Sequence, residues 1–139
     1  VPDMEFDKFR TFWYNLDERW QIHTLARFRL GSHWLNVEAG RFTNLPRSQR
    51  FCPCCELQCR EDELHVLACS AYSDIRLEYR QVLRDESHGE VNDLDSVMRR
   101  CMNPPEQCHD VKGFWKQMVC FLTKCRERRD SLIGRVALA

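Results

Sequence analysis

A mainly helical small domain without a sizeable sheet, organised around a Cys-Cys-His-Cys knuckle, is the fold class that the sequence predicts. Two observations lead there. Each long apolar pattern in the 139 residues repeats near the helical period, and none alternates over strand length. Between Phe51 and Cys69, the stretch FCPCCELQCREDELHVLAC gathers five of the nine cysteines and one histidine at metal-ligand spacing.

Cys52 and Cys55 form a C-x2-C pair, which a tight turn makes convergent. His65 and Cys69 follow as H-x3-C, four residues apart, so on a helix both side chains lie on one face. The carboxylates Glu61, Asp62 and Glu63 stand just ahead of His65, where acids favour a helix start. Zn2+ takes four nitrogen or sulfur ligands in a tetrahedron, and a knuckle plus a helix face is one way to supply them. Cys52, Cys55, His65 and Cys69 are therefore the candidate ligands of a closed zinc site with no vacant position for substrate. Cys54 and Cys59 lie in the same loop and could replace Cys52 or Cys55, although adjacent Cys54 and Cys55 would point apart.

With 43% hydrophobic and 30% charged residues, the chain has the composition of one globular domain over residues 1–139. Its expected parts are N-terminal helices and a basic segment over 1–50, the zinc module and following helix over 51–85, and C-terminal helices over 86–139. No apolar run approaches membrane-spanning length, and VPDMEFDKF is neither a signal segment nor a transit peptide. An odd cysteine count fits a metal site better than a disulfide framework. These features predict an intracellular protein, nuclear or cytoplasmic, with no membrane partner. A first residue of Val rather than Met suggests a piece of a longer chain.

The formal net charge of zero conceals segregation. Residues 1–18, 19–55, 56–96 and 97–139 carry −3, +5, −7 and +5 respectively. Such blocks raise the prospect that the two basic segments share a face.

Phe6, Phe9, Trp13, Leu16 and Trp20 form the stripe of an amphipathic helix over residues 4–20. Ile22, Leu25, Ala26, Phe28 and Leu30 then predict a helix stopping near Gly31, with Ser32 capping a short one that reaches Glu38 and ends at Gly40. Arg27, Arg29, Arg41, Arg47 and Arg50 occur here with His33, Trp34 and Phe42, a mixture suited to phosphate neutralisation and base stacking, or equally to a solvated basic face. After Cys69, Tyr72, Ile75, Tyr79 and Val82 mark the buried face of a helix whose Arg76, Arg80 and Arg84 form an outer row. Residues 85–93 are expected to be a loop and 94–102 a short helix stopped by Pro104 and Pro105. The longest helical signal is DVKGFWKQMVCFLTKCRERRDSLI, with Val111, Trp115, Met118, Leu122 and Cys125 in register and Phe114 and Phe121 widening that face. Lys112, Lys116, Lys124, Arg126, Arg128 and Arg129 cover much of the remainder. Cys101, Cys108, Cys120, Cys125 and His109 fit no finger spacing, and a cysteine on an apolar helix face is expected to act as a small hydrophobe.

The stretches FRLGSHWLNVEAGRFTNLPRSQRFCPCC, EDELHVLAC and SAYSDIRLEYRQVL, in that order, resemble the cysteine/histidine module found C-terminal to the polymerase in reverse transcriptases of non-LTR retroelements. Arg50, Cys52, Cys55, Asp62, His65, Cys69, Tyr72 and Arg76 match its R-x-C-x2-C, E-x-x-H-x3-C, tyrosine and arginine positions, over about residues 25–84. The resemblance implies zinc binding and a grip on template RNA or target DNA beside an attached polymerase. The polymerase's own Y-x-D-D strand is absent, so a non-catalytic part is expected. A zinc deaminase would need H-x-E ahead of P-C-x-x-C, the reverse of the order here. The competing expectation is a zinc-stabilised protein-interaction module that docks a protein partner through the aromatic N-terminal helix.

Overall fold

The computed structural model describes residues 15–30, 33–55, 57–83, 104 and 108–138. The expected helix over 4–20 lies mostly outside them, as do the Ser32 cap, the loop at 85–93, the helix at 94–102 and Cys101. Among the described residues the architecture is helical, with no strand or sheet beyond one isolated antiparallel bridge between Phe51 and Arg60.

The spine is the helix α6, Val111–Leu138, and the other elements are α1 Arg19–Arg29, α2 Asn36–Ala39, α3 Glu63–Val66, α4 Ser73–Glu78 and α5 Arg80–Leu83. Single 3-10 turns cover Gly40–Thr43, Arg47–Gln49 and Ser70–Tyr72. No helix among the described residues is long and apolar enough to cross a membrane.

On α6 the expected register holds. Trp115, Met118, Leu122 and Cys125 are buried, and Phe114, Val119 and Phe121 widen the apolar face. Each such large side chain removed from water contributes about 1.5–3 kcal/mol before entropy is subtracted. Against this face pack α1, through Leu25 and Phe28, and the pair α4–α5, through Ile75, Val82 and Leu83. Burial pushes the Cys125 thiol up to about 12, consistent with a packing role.

Two helices begin or continue differently from expectation. The chain breaks at Leu16–Glu18, and α1 restarts at Arg19 with the Glu18 backbone N–H donating to Gln21 Oε1 at 3.3 Å. That break rotates Trp20 out of the core stripe to 52% exposure, while Leu16 stays buried. After Cys69, Tyr79 at φ −103°, ψ 18° splits the expected single helix into α4 and α5. The bonds Tyr79 N–H to Ile75 O (3.1 Å) and Leu83 N–H to Tyr79 O (3.0 Å) carry the chain across the kink.

The polar face of α6 is the larger departure. Lys112 and Lys116 both reach Asp17 (3.4 and 3.3 Å), Lys124 pairs with Glu78 (2.6 Å), and Arg128 takes Asp74 with two bonds while donating to the Ala71 carbonyl (2.8 Å). The Arg128 guanidinium beside Asp74 holds that carboxyl down at about 2. Exposed pairs of this kind each contribute little, yet together they turn most of the basic C-terminal face toward the chain's own acids.

One pair is of another kind. Arg129 grips Glu61 with two bonds of 2.8 Å, and both residues are buried. Burial works to lower the Arg129 pKa, but the adjoining carboxylate overrides it and raises it. Glu61 Oε1 also accepts the Asn36 backbone N–H at 2.7 Å, and the Arg129 guanidinium lies 5.7 Å from the Trp34 ring centroid. Because each partner alone would be an uncompensated buried charge, Arg129→Ala or Glu61→Ala is expected to cost about 3–5 kcal/mol. The double variant should lose clearly less than the sum of the two. Urea denaturation midpoints of the four proteins in the cycle measure both quantities, and additive losses would remove the pair from this role.

Candidate metal centre

The Phe51–Arg60 bridge makes the cysteine loop a tight hairpin. Cys52 N–H donates to Cys59 O and Glu61 N–H to Arg50 O, both at 2.8 Å, so the hairpin's two ends are locked in register. Gln58, at φ 51°, supplies the left-handed residue that the return requires. Within the loop, the Cys54 backbone N–H points at Cys52 Sγ (3.4 Å), the contact of a knuckle whose amides face a thiolate.

The second half of the site is built by α3. Asp62 caps that one-turn helix by accepting the His65 backbone N–H at 2.9 Å. Cys69 lies beyond the end of α3, at the start of the Ser70–Tyr72 turn, rather than on the helix itself. Its N–H nonetheless bonds His65 O at 2.7 Å, which preserves the i, i+4 relation that the spacing predicts. A helix this short leaves its C-terminal carbonyls without intrahelical partners. Arg76 supplies one, donating to Val66 O (3.2 Å) and Cys69 O (2.5 Å). Arg76 therefore belongs to the site's scaffold and not to an outer arginine row.

The two halves bring Cys52 Sγ, Cys55 Sγ, a ring nitrogen of His65 and Cys69 Sγ within 4.8 Å of one another. Cys52 and Cys69 sulfurs are 3.8 Å apart, and Cys55 Sγ is 3.4 Å from His65 Nε2. A tetrahedral ion bound at ~2.3 Å to sulfur and ~2.0 Å to nitrogen places its ligands about 3.8 Å (S–S) and about 3.5 Å (S–N) apart. The donor set thus fits one tetrahedral ion, and a 3.8 Å sulfur separation is far beyond the ~2.05 Å of a disulfide. All eight described cysteines are free thiols.

Crowding shows in the thiols' acidity. Bonding with Cys54 and Cys69 drives the Cys52 thiol far below its ordinary range. Cys54 and Cys69 are pushed up in turn by that bonding and by burial, and burial raises Cys55. A divalent cation resolves this competition by letting every ligand ionise.

Cys54 and Cys59 stand outside the four. Cys54 Sγ faces the buried Tyr72 hydroxyl at 3.8 Å, and Cys59 Sγ lies 3.8 Å from Leu57 O. Burial holds the Tyr72 hydroxyl well above the usual phenol range, so it stays neutral and available as a donor. Cys108, His109, Cys120 and Cys125 form no second group: among the described residues only one cluster can hold an ion.

The basic residues of the N-terminal half have divided fates. Arg50 Nε donates to Leu45 O (2.9 Å) and its terminal nitrogen to Val37 O (2.6 Å), so its charge is engaged in tying the approach segment to the hairpin. Gly40 lies beneath it: a Cβ there would stand 2.7 Å from Arg50 Cγ. Arg27, Arg41 and Arg47 are exposed, with Arg41 paired to Glu38 (2.8 Å) and 5.0 Å from the Phe42 ring centroid, whereas Arg29 is half-buried. His33 Nδ1 accepts the Leu35 N–H (3.3 Å), which leaves Nε2–H to donate to Glu63 (2.6 Å). Burial opposes ionisation of Glu63, but the bond from His33 holds its carboxyl below the usual range. Of the three expected stacking residues, His33 is thus tied to α3, Trp34 sits under Arg129, and Phe42 is 75% exposed.

No protein-family model matches the sequence, and no curated protein or solved structure matches the chain.

The cap is the separable part of this design. Asp62→Ala is expected to cost about 1 kcal/mol, while Asp62→Asn, an equally good cap, should retain nearly all of that stability. Because the bond it removes fixes the first turn holding His65, the Ala variant should also weaken Co2+ binding, read from the thiolate-to-metal absorption band. Equal metal affinity for the two variants would show that the cap does not position the histidine.

Proposed function

We propose that the chain is a zinc-stabilised nucleic-acid-binding module, of the kind found C-terminal to the polymerase in non-LTR reverse transcriptases. The observation that carries this reading is the closed Cys3His donor set mounted on a hairpin whose approach segment exposes Arg41 and Arg47. Three thiolates and an imidazole suit Zn2+ over harder cations. Four protein donors complete a tetrahedron, so the ion's work is structural: it fixes the hairpin to α3 and offers no open position to a substrate. Such a site makes the module a binding part and not a catalytic one. It requires a reducing compartment, nucleus or cytoplasm, to keep its thiols available.

The rigid hairpin then fixes the exposed arginines of the segment leading into it, as phosphate recognition in a set register requires. Arg41 and Arg47 serve as contacts, with Arg50 as the strut of their segment, and Arg27 adds a contact from α1. RNA or DNA is the partner on this reading, gripped beside an attached polymerase.

Purified protein should carry one equivalent of zinc. Chelation or Cys69→Ser should lower the thermal midpoint substantially, because the free energy of ligation is part of the folding free energy. Metal affinity should fall with falling pH as protons compete for the thiolates and the imidazole. Wild-type affinity for RNA and DNA should decrease linearly on a log–log plot against salt. Arg47→Ala should reduce that slope by about one unit for every sequence tested, whereas Arg50→Ala should act first on folding. A zinc-loaded wild type that binds no nucleic acid at low salt would end the nucleic-acid reading and leave the metal site standing.

A further inference from the structure

A cleft of about 790 Å³ opens between α1, the Gly40–Thr43 turn and α6, with Trp34 in its lining. Its volume lies within the ~300–1,000 Å³ of small-ligand sites. Two aromatic rings line it while remaining accessible: Trp20 at 52% and Phe42 at 75% exposure. The two rings stand on separate elements, α1 and the Gly40–Thr43 turn, and both border the same cleft.

We propose that this cleft holds a single-stranded stretch of nucleic acid, with bases stacked on Trp20 and Phe42 and phosphates met by Arg27, Arg41 and Arg126. The inference rests on the nucleic-acid reading above and gives it a location and a strand class. All five residues line the cleft, and the Arg41 guanidinium, 5.0 Å from the Phe42 ring centroid, extends the platform that a base would meet.

The lining is not uniformly basic, and that decides the kind of ligand. Glu38 is neutralised by Arg41 at 2.8 Å, but Glu127 and Asp130 also face the cleft from α6. A bare polyanion gains little from such a balanced set of charges. A strand carrying bases gains stacking on two rings, and the carboxylates can accept hydrogen bonds from base amino groups. Base faces, and not phosphate charge alone, must therefore supply most of the affinity.

The test uses the full, zinc-loaded chain and three probes of about 12 nucleotides, a length within the ~4–16 nucleotides of single-strand sites. The probes are a single-stranded oligonucleotide, an abasic strand of the same phosphate count, and a duplex. The single strand should bind about tenfold or more tightly than the abasic strand and the duplex, and should quench tryptophan fluorescence. Trp20→Leu should weaken single-strand binding about tenfold and remove much of the quenching; Phe42→Leu should weaken it similarly; Trp20→Phe should restore affinity. Both rings are exposed, so unchanged circular dichroism and zinc content are expected throughout. If the abasic strand binds as tightly as the intact one, or the two leucine variants bind like wild type, the cleft proposal is overturned while nucleic-acid binding survives at another surface. If no probe binds at low salt, the cleft proposal and the nucleic-acid reading fall together.

Discussion

The buried carboxylate of Glu61 is the point on which the described parts of the chain converge. Its backbone closes the cysteine hairpin through Arg50 O, its carbonyl accepts the Val37 N–H at 2.9 Å, and its side chain receives both the first amide of α2 and the Arg129 fork from α6. A charge taken out of water is costly unless every lone pair finds a donor. Here the carboxylate's donors come from two separate elements, α2 and α6, so it is satisfied only when both meet the end of the hairpin. That condition makes assembly of the hairpin, α2 and α6 a joint event, and it positions α6 relative to the metal ligands although α6 contributes none of them.

Much of the site was legible in the sequence because ligand spacing is a local property. A C-x2-C turn and an H-x3-C step each have few ways to converge, and the four atoms they predict are the four that gather. The helical class was legible for the same reason, through periodicity along α1 and α6. Other features depend on partners distant in sequence. Glu61, Asp62 and Glu63 read as three equivalent acids at a helix start, yet only Asp62 caps; Glu63 pairs with His33 and Glu61 with Arg129, across 30 and 68 residues. Likewise Arg76 has the spacing of a surface row, and only the carbonyls left open by a one-turn helix draw it inward. The break before Arg19, which turns Trp20 outward, carries no glycine or proline to announce it.

Arg50 and Gly40 show how residues read as part of a binding segment can instead be structural. A side chain at position 40 would collide with the Arg50 stem, and Arg50 is held there by two carbonyls from the segment it braces. The pair fixes the path from α2 to the first ligand, Cys52. Arg41, next to that glycine, is thereby presented at a defined place on the surface without itself being packed. The rigidity of the metal hairpin is passed to a cationic side chain ten residues upstream through one glycine and one arginine.

Charge segregation along the sequence takes a different meaning once the folded partners are known. The acidic blocks at 1–18 and 56–96 supply Asp17, Glu61, Asp74 and Glu78, and the basic C-terminal block supplies the lysines and arginines that meet them on α6. Those cations are therefore largely engaged with the chain's own carboxylates. The block at 19–55 contains a single acid, Glu38, which pairs with Arg41. Arg27 on α1 and Arg41 and Arg47 in the hairpin approach remain exposed. On α6, Arg126 is the basic residue that turns toward that same side, lining the cleft with Trp20 and Phe42. A net charge of zero thus coexists with exposed arginines on this side, because Asp17, Glu61, Asp74 and Glu78 are engaged by α6.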